Sequence, residues 1–250
     1  MNEQLAEILK YLRLGGLLAH WDDYLQVAAE KRFSHAHLLT HILEEEYRLK
    51  REHARQLRLK RARIPEPWVI ETFPFDRQPK LNKKRIQALY DSLSFMKQNQ
   101  NIIWLGRTGC GKTGLATSFL VHAINQGYSA RYVLFAELVA ELYRSVADHS
   151  ETEVLKRYLG CDCLLIDEIG YIEVEPVQVG LFFTLMHQRH KLKPTLITSN
   201  LGFAEWGSFL KNDNLTAALI DRLTENSHVI NMKGCKGLRP TLDAEPCAEP

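Results

Sequence analysis

Residues 101–113 read NIIWLGRTGCGKT, and this stretch decides the fold of the chain. The apolar run 101–105 predicts a buried strand, and the residues that follow it match the pattern G-x-x-x-x-G-K-T. Glycines let such a loop turn tightly and aim successive backbone N–H groups inward, while the helix that follows presents its positive dipole end. The stretch therefore predicts a strand, a phosphate-binding loop and a helix, and with them a site for a nucleoside triphosphate.

Each residue of the loop has a predicted role in holding ATP and Mg²⁺. Lys112 is expected to reach the β- and γ-phosphates, and the Thr113 hydroxyl is expected to ligate the Mg²⁺ that bridges them. The backbone of the other residues forms the phosphate cradle: Gly106, Arg107, Thr108, Gly109, Cys110 and Gly111. The motif therefore implies ATP and Mg²⁺ as cofactors.

The composition is that of an ordinary globular protein. The 250 residues are 45% hydrophobic, enough for one α/β domain with a small additional domain. The 32 Lys and Arg nearly balance the 30 Asp and Glu, so the net charge is only +2. An anionic partner would therefore have to bind a local cluster of basic residues. The five cysteines lack zinc-finger spacing, which is typical of reduced thiols. No leader and no apolar run of membrane-spanning length is recognisable, so we expect a cytoplasmic, bacterial protein without a membrane partner.

The first 64 residues are predicted to form a small all-helical domain, because leucines recur at helical intervals and no β-rich run interrupts them. Ser34 is placed to cap the helix that follows it. Pro65 and Pro67 end that helix, since proline removes a backbone donor and restricts the residue before it. We therefore expect a domain at 1–64, a linker at 65–79, an ATPase domain at 80–239 and a disordered tail at 240–250.

A strongly basic stretch lies at the end of the helical segment, and within the stretch only Glu52 opposes it. Wrapped into a helix, it forms a cationic surface that could bind the phosphates of duplex DNA without reading the base sequence. A solvated helix face is the alternative, because acidic residues elsewhere could compensate and no interleaved aromatic residues predict base stacking. The candidate DNA-binding residues are Arg48, Lys50, Arg51, Arg55, Arg58, Lys60, Arg61 and Arg63.

Beyond the phosphate loop, apolar strands alternate with helical segments, as in a parallel α/β sheet. The strand 162–166 ends in Asp167 and Glu168, at the edge where open α/β sheets bind their ligands. Asp167 is expected to hold Mg²⁺, directly or through water, and Glu168 to polarise the attacking water as general base. The strand 195–199 ends at Asn200, which could contact the γ-phosphate or that water, or could be a turn residue.

Two further features have interpretations that the residues alone leave open. Phe73 and Phe75 precede the first strand and could line a pocket for the nucleotide base, but we favour a place in the hydrophobic core. Arg222 lies in a predicted amphipathic helix, where it could be only a surface ion-pair partner of Asp221 or Glu225.

Taken together, these motifs resemble the AAA+ ATPases, and within them the IstB-like transposition helper ATPases, which are close relatives of the DnaC-type helicase loaders. The resemblance covers nearly the whole chain. Besides the helical N-terminal domain, it rests on the phosphate loop, CLLIDEIG at 163–170, TLITSN at 195–200 and IDRL at 220–223. It implies an α/β fold, an AAA+ P-loop core whose parallel sheet carries helices on both faces, preceded by the small helical domain.

The resemblance also implies roles for single residues. Asn200 matches the sensor 1 residue, and Arg222 matches the arginine finger that enters the ATP site of a neighbouring subunit. Arg239 matches a nucleotide-sensing arginine, although the segment GCKGLR at 234–239 keeps only Gly234 and Arg239 of the family's pattern. The implied protein is a homo-oligomer with shared ATP sites, whose hydrolysis is stimulated by assembly on DNA.

The function implied by the resemblance is ATP-dependent assembly on target DNA, with recruitment or stimulation of the transposase of the same insertion sequence. The alternative within the superfamily is a helicase loader, whose N-terminal domain would grip a helicase rather than duplex DNA. A non-catalytic ATP-binding scaffold would have no need of Glu168, Asn200 and Arg222 together. A small-molecule kinase shares the loop, but it would more naturally lack the acidic pair and the arginine finger.

Overall fold

The computed structural model describes residues 1–238, which divide into two compact units, Met1–Leu57 and a larger unit that begins at Arg58. The first unit is helical, and Ser34 caps its longest helix as expected, because the Ser34 hydroxyl accepts the His37 N–H at 3.2 Å. The helices that begin in this unit are α1 (Glu3–Tyr11), α2 (Gly15–Ala19), α3 (Trp21–Glu30) and α4 (His35–Ala62).

The larger unit is built on a parallel sheet. Its strands are β1 (Asn101–Leu105), β2 (Ala130–Leu134), β3 (Cys163–Ile169), β4 (Thr195–Ser199) and β5 (Ser227–Asn231). They lie in the order β2-β3-β4-β1-β5, so β4 lies between the strand of the phosphate loop and the strand of the acidic pair. Because the strands are parallel, their carboxyl ends share one edge of the sheet, and the predicted motifs meet there.

Helices cover both faces of the sheet, because its strands are apolar on both faces. Along β1, Ile102 and Trp104 face one buried core, and Ile103 and Leu105 face the other. This arrangement confirms the predicted fold class. The helices over the first core are α5 (Lys83–Ser92), α6 (Ser94–Lys97) and α7 (Lys112–Asn125); those over the second are α8 (Phe135–Ala147), α9 (Glu151–Gly160), α10 (Pro176–Arg189), α11 (Phe203–Leu210) and α12 (Asp213–Thr224).

The segment 65–79, which the sequence predicts as a linker, supplies side chains to the first core. Short 3₁₀ helices turn the chain at Ile70–Thr72 and Phe75–Arg77. Ile70, Phe73 and Phe75 are buried, and the two phenylalanine rings lie edge to face with centroids 4.8 Å apart. Burial of these apolar side chains stabilises the segment within the larger unit. The core interpretation of Phe73 and Phe75 agrees with their burial.

The described residues show neither a bilayer-spanning helix nor a disulfide bond. Within residues 1–238, no helix combines the length and the apolar character needed to cross a membrane. The cysteines of this range, Cys110, Cys161, Cys163 and Cys235, are buried free thiols. Burial raises the pKa of the Cys161 thiol, which disfavours the reactive thiolate. These thiols therefore act as small core residues.

Arg189, at the end of α10, is a buried cation that joins separate elements of the larger unit. It is only 2% exposed, and its Nη atoms donate to the carbonyl oxygens of Tyr158 and Pro194, both at 2.7 Å. A bond of 3.2 Å reaches the Cys161 carbonyl, and Nε donates to the Thr195 hydroxyl at 3.1 Å. Burial lowers the pKa of this guanidinium. One side chain thus fixes the start of β4 to the chain that enters β3.

Arg189→Lys should lower the free energy of unfolding by about 2 kcal/mol, because lysine keeps the charge but cannot reach these acceptors with a planar fork. Urea unfolding followed by tryptophan fluorescence measures the change. Arg144→Lys, at an exposed position on α8, is the matched control and should change stability by less than about 0.5 kcal/mol. Equal stability of Arg189→Lys and the parent would contradict the anchoring role.

Candidate functional site

The loop between β1 and α7 has a backbone that requires glycine. Gly109 and Gly111 have φ angles of +78° and +97°, in the left-handed region. A Cβ at Gly111 would lie 2.6 Å from the Phe73 ring, and one at Gly106 would lie 2.8 Å from the backbone of Met232. The glycines of the motif are therefore required both by the turn of the loop and by the close approach of neighbouring segments.

The side chains predicted to meet the phosphates and Mg²⁺ lie against the loop and the sheet edge. Lys112 is buried, and its Nζ donates to the carbonyl oxygens of Gly106 at 2.7 Å and Arg107 at 3.1 Å. Thr113 Oγ1 donates to Asp167 Oδ1 at 3.1 Å. The start of α7 is thus in direct contact with the acidic end of β3, which brings the two predicted Mg²⁺ ligands together.

Asp167 is a buried carboxylate that accepts hydrogen bonds from hydroxyl groups. It is 1% exposed, and besides Thr113 it accepts bonds from Tyr132, at 2.9 Å, and from Thr198. Burial, together with the Asp167 charge, raises the pKa of Tyr132, so the phenol remains a protonated donor. Mg²⁺ prefers oxygen ligands such as carboxylates and hydroxyls. The donor set of Thr113 and Asp167 therefore fits the predicted metal ion.

A β-bulge turns the chain directly after Asp167. Asp167 and Glu168 together oppose a single residue of β4, Thr198. Glu168 has a φ of +64°, which is uncommon outside glycine, and its side chain is exposed. Its backbone N–H donates to Thr198 Oγ1 at 3.0 Å, while the same hydroxyl donates to the Asp167 carboxylate. The Thr198 hydroxyl thus bonds to the side chain of Asp167 and to the backbone of Glu168.

Asn200 follows β4 at the same edge of the sheet. Its side-chain oxygen is buried and has no hydrogen-bond partner within the described chain. Gly170, with a φ of +111°, leaves the room for this oxygen, because a Cβ there would lie 2.5 Å from it. A buried acceptor without a donor is costly. The Asn200 oxygen therefore fits an acceptor for a bound water or ligand.

Arg222 contacts α10 and the backbone of its own helix, where an Nη atom donates to the Ala218 carbonyl at 3.0 Å. Its guanidinium carbon lies 4.7 Å from the centroid of the Phe183 ring, and its Nε donates to His187 Nδ1 at 3.1 Å. Glu225, one of the carboxylates considered as its partner, forms an ion pair with Lys191. The structure thus places Arg222 on a helix surface, separate from the contacts that join Thr113 and Asp167.

The segment after β5 returns to the phosphate loop. The side chain of Gln78, which is buried, donates to the carbonyl oxygens of Cys110 at 3.3 Å and Lys236 at 2.7 Å, and accepts the Lys236 N–H at 2.9 Å. The Leu238 N–H donates to the Gly109 carbonyl at 2.8 Å. Residues before β1 and after β5 therefore hold the loop from both sides, and we call this arrangement the Gln78 clamp.

The predicted DNA-binding residues differ in their pairing. Arg48, Lys50 and Arg55 lie within ion-pair distance of carboxylates one helical turn earlier, namely Glu45, Glu46 and Glu52. Two of these carboxylates precede the basic stretch, so the helix carries less net positive charge than the stretch alone indicates. Within residues 1–238, Lys60 and Arg61 are exposed and no carboxylate lies within ion-pair distance of them.

The other basic residues of the stretch 48–63 are Arg51, Arg58 and Arg63. Arg51 lies over the ring of Tyr47, with 5.6 Å between its guanidinium carbon and the ring centroid. Arg58 is half-buried and Arg63 is exposed. Arg239 and the predicted tail after it lie outside the described residues, so a nucleotide-sensing role of Arg239 stays a prediction.

Sequence reasoning missed three polar residues of the site. Tyr132 and Thr198 each stand in an apolar strand, and a polar residue in a buried strand signals a partner to be satisfied. That signal could have found both residues. Gln78 carries no comparable signal, because it lies in a segment without regular periodicity.

Thr198→Val keeps the shape of the side chain but removes the hydroxyl that holds both acidic residues. We expect ATP hydrolysis to fall about tenfold and the Mg²⁺ concentration for half-maximal hydrolysis to rise, because Asp167 and Glu168 lose a shared partner. Steady-state hydrolysis at graded Mg²⁺ measures both effects. Thr184→Val, which removes a hydroxyl bonded to the Gly180 carbonyl on α10, is the control. A parental rate and Mg²⁺ dependence in Thr198→Val would refute this role.

Proteins of similar sequence come from insertion sequences. The family model for IstB-like ATP binding proteins matches residues 7–239. The chain is 32% identical over 234 residues to a protein of insertion sequence IS5376 from Geobacillus stearothermophilus, across 94% of this chain and 93% of that one. It is 31% identical over 231 residues to a protein of insertion sequence IS21 from Pseudomonas aeruginosa, across 92% and 87%. Both relatives are named for ATP binding.

Solved structures share the fold. The crystal structure of DnaI matches with a TM-score of 0.56 and 21% identity, over 66% of this chain and 90% of that one. AMPPCP-bound DnaA from Aquifex aeolicus matches with a TM-score of 0.56 and 17% identity, over 68% and 51%. At these identities the likeness establishes the fold alone, which this chain shares with DnaI and DnaA. From the family model and the insertion-sequence relatives, we conclude that this chain belongs to the IstB-like ATP-binding protein family.

Proposed function

We propose that this protein is an ATP-hydrolysing helper of insertion-sequence transposition. It binds duplex DNA, assembles there into a homo-oligomer with shared ATP sites, and recruits or stimulates a cognate transposase. The observation that carries the proposal is the contact between Thr113 and Asp167. It joins the phosphate loop to the acidic pair, in a chain related to insertion-sequence proteins along nearly its whole length.

ATP binding is supported by the geometry of the phosphate loop. The positive φ angles of its glycines and the start of α7 turn backbone N–H groups toward the place of an anion. Lys112 supplies positive charge to the β- and γ-phosphates. Thr113 and Asp167 would hold Mg²⁺, which when bound neutralises charge on the phosphate oxygens.

Glu168 and Asn200 are proposed to act on the attacking water. As the water attacks the γ-phosphorus, the Glu168 carboxylate accepts its proton, and the bond to the β–γ bridging oxygen breaks to release ADP. The Asn200 side-chain oxygen, which lacks a partner among the described residues, accepts a hydrogen bond from the same water. Glu168 thus supplies the base, and Asn200 supplies the orientation of the water.

Arg222 is proposed to complete the ATP site of a neighbouring subunit. Phe183 and His187 orient its guanidinium without neutralising it, since neither partner is a carboxylate. A cation held in this way on a partly exposed surface remains available to phosphate oxygens of another subunit. Each site is then complete only within the oligomer, and assembly controls hydrolysis.

Mixing two inactive variants tests the shared site. Glu168→Gln removes the base from its own site, and Arg222→Ala removes the finger from the neighbour's site, so each variant alone should lose most DNA-stimulated hydrolysis. In a one-to-one mixture, about a quarter of the interfaces should pair an intact base with an intact finger and regain activity. Steady-state hydrolysis with duplex DNA measures this recovery. Arg144→Ala is the control and should keep the parental rate. A mixture as inactive as its components would exclude a finger acting in trans.

Duplex DNA is the proposed ligand of the basic residues of α4 and of Arg63 after it. Exposed Lys and Arg neutralise phosphates and release counterions whatever the base sequence. Arg48, Lys50 and Arg55 are already paired with carboxylates, which reduces their contribution to the free energy of DNA binding. Lys60 and Arg61 should therefore contribute the most per residue.

Replacing Lys60 and Arg61 together by Gln should weaken DNA binding and make the slope of log K against log salt less negative by about two, because two phosphate contacts are lost. Fluorescence anisotropy with unrelated duplexes at graded salt measures both. Arg144→Gln with Lys156→Gln changes the net charge equally at exposed sites elsewhere and should leave the slope unchanged. Parental slopes for both pairs of substitutions would place the DNA surface elsewhere.

The transposase partner is proposed from the relatives, which are proteins of insertion sequences. The helicase-loader alternative has only the fold in its support, since the structures of DnaI and the DnaC helicase loader are 21% and 22% identical to this chain. The insertion-sequence relatives are more similar and span the chain, so transposition is the better proposal.

A further inference from the structure

A hydrogen bond ties the segment that follows β3 to the phosphate loop. Thr108 Oγ1 and Tyr171 Oη lie 2.7 Å apart. Thr108 is the third residue of the phosphate-loop motif, and Tyr171 lies three residues beyond Glu168. Tyr171 is 46% exposed and Thr108 is also exposed, so water could satisfy either hydroxyl. The contact is therefore not needed to satisfy a buried group. It does join the phosphate loop to the segment after β3.

The backbone between Glu168 and Tyr171 is strained and needs to be held. Glu168 and Gly170 both have positive φ angles, +64° and +111°. A non-glycine residue keeps such a conformation only where its surroundings fix it. The Glu168 N–H is fixed to Thr198 of β4 at 3.0 Å, and the other end of the segment is fixed to Thr108 through the Tyr171 hydroxyl. Between these points, the Ile169 carbonyl accepts the Ser199 hydroxyl at 2.8 Å. The segment is therefore anchored on the sheet at Glu168 and Ile169 and on the phosphate loop at Tyr171.

We propose that Tyr171 is a positioning residue through which the phosphate loop sets the place of Glu168. This inference rests on the proposed ATPase function and names a residue for it. When phosphates engage the backbone N–H groups of the loop, a displacement of Thr108 passes through its hydrogen bond to Tyr171 and along the short segment to Glu168. Nucleotide in the loop thereby helps to hold the general base at its working position.

The chain allows this hydrogen bond to be removed from either end. Tyr171→Phe keeps the ring and removes one hydroxyl, and Thr108→Val keeps the branched shape and removes the other. If the hydroxyls act as a pair, the two substitutions have the same effect, and the double variant shows no further loss. If Tyr171 instead acts on the nucleotide directly, Thr108→Val does not reproduce its effect.

The first test is a double-mutant cycle on the full chain. Loss of one such hydrogen bond should slow single-turnover ATP hydrolysis about fivefold in each single variant, with no further fall in the double variant. In Tyr171→Phe, affinities for ATP and ADP, measured by competition with a fluorescent analogue, should change less than about twofold, because the lost hydroxyl bonds to Thr108 rather than to nucleotide. Tyr143→Phe removes an exposed hydroxyl on α8 and should leave every quantity unchanged.

Hydrogen exchange supplies a readout that does not depend on hydrolysis. With a non-hydrolysable ATP analogue, the amides of 106–113 and of 168–172 should both exchange more slowly in the parent protein. In Tyr171→Phe, the analogue should still protect 106–113 but no longer protect 168–172. This pattern would separate nucleotide binding, which remains, from transmission to the Glu168 segment, which is lost.

Different results overturn different conclusions. Additive losses in the double variant, or undiminished protection of 168–172 in Tyr171→Phe, would overturn the positioning role. A selective loss of ATP affinity over ADP affinity in Tyr171→Phe would also overturn it, because Tyr171 would then be a ligand of the γ-phosphate. Failure of the analogue to protect 106–113 in the parent protein would overturn the proposed ATPase function as well.

Discussion

The buried carboxylate of Asp167 is the constraint on which the chemistry of the larger unit depends. Its hydrogen-bond donors come from separate elements: Thr113 on α7, Tyr132 on β2 and Thr198 on β4. A buried charge without partners is strongly destabilising, so these elements must be in register for the carboxylate to be satisfied. The same contacts hold the carboxylate beside the phosphate loop. The requirement of the fold and the requirement of the candidate metal site therefore coincide in one side chain.

The bulge after Asp167 lets two neighbouring carboxylates serve different purposes. In a regular strand, side chains alternate between the two faces, and Glu168 would face the helices of the second core as Ile166 does. A charge there would lack both water and a partner. The left-handed conformation of Glu168 turns it out of the ladder, so its carboxylate stays hydrated while Asp167 stays buried. The backbone strain of one residue thus separates a candidate metal ligand from a candidate base.

Sequence alone predicts the parts of the site that are local patterns, because each follows an apolar strand and parallel strands bring their ends together. It does not predict α9 and α11, since both are short and α11 begins without a capping hydroxyl; instead, the Gly202 N–H before α11 donates to the Glu205 carboxylate. The roles of Tyr132 and Thr198 depend on how β2, β3 and β4 are aligned, which periodicity does not specify. The net positive charge of α4 is lower than the basic stretch alone indicates, because pairing one turn apart brings in Glu45 and Glu46 from outside that stretch.

The Gln78 clamp has a consequence for biosynthesis. Gln78 bonds to Lys236 across 158 residues of chain, and β5 pairs with β1 beside the loop. A nascent chain that already contains the whole G-x-x-x-x-G-K-T motif lacks these contacts until its last strand has left the ribosome. The loop of the motif therefore gains its full set of contacts only after Lys236 has been translated. Chains terminated before that residue would carry the motif without the segment that supports it.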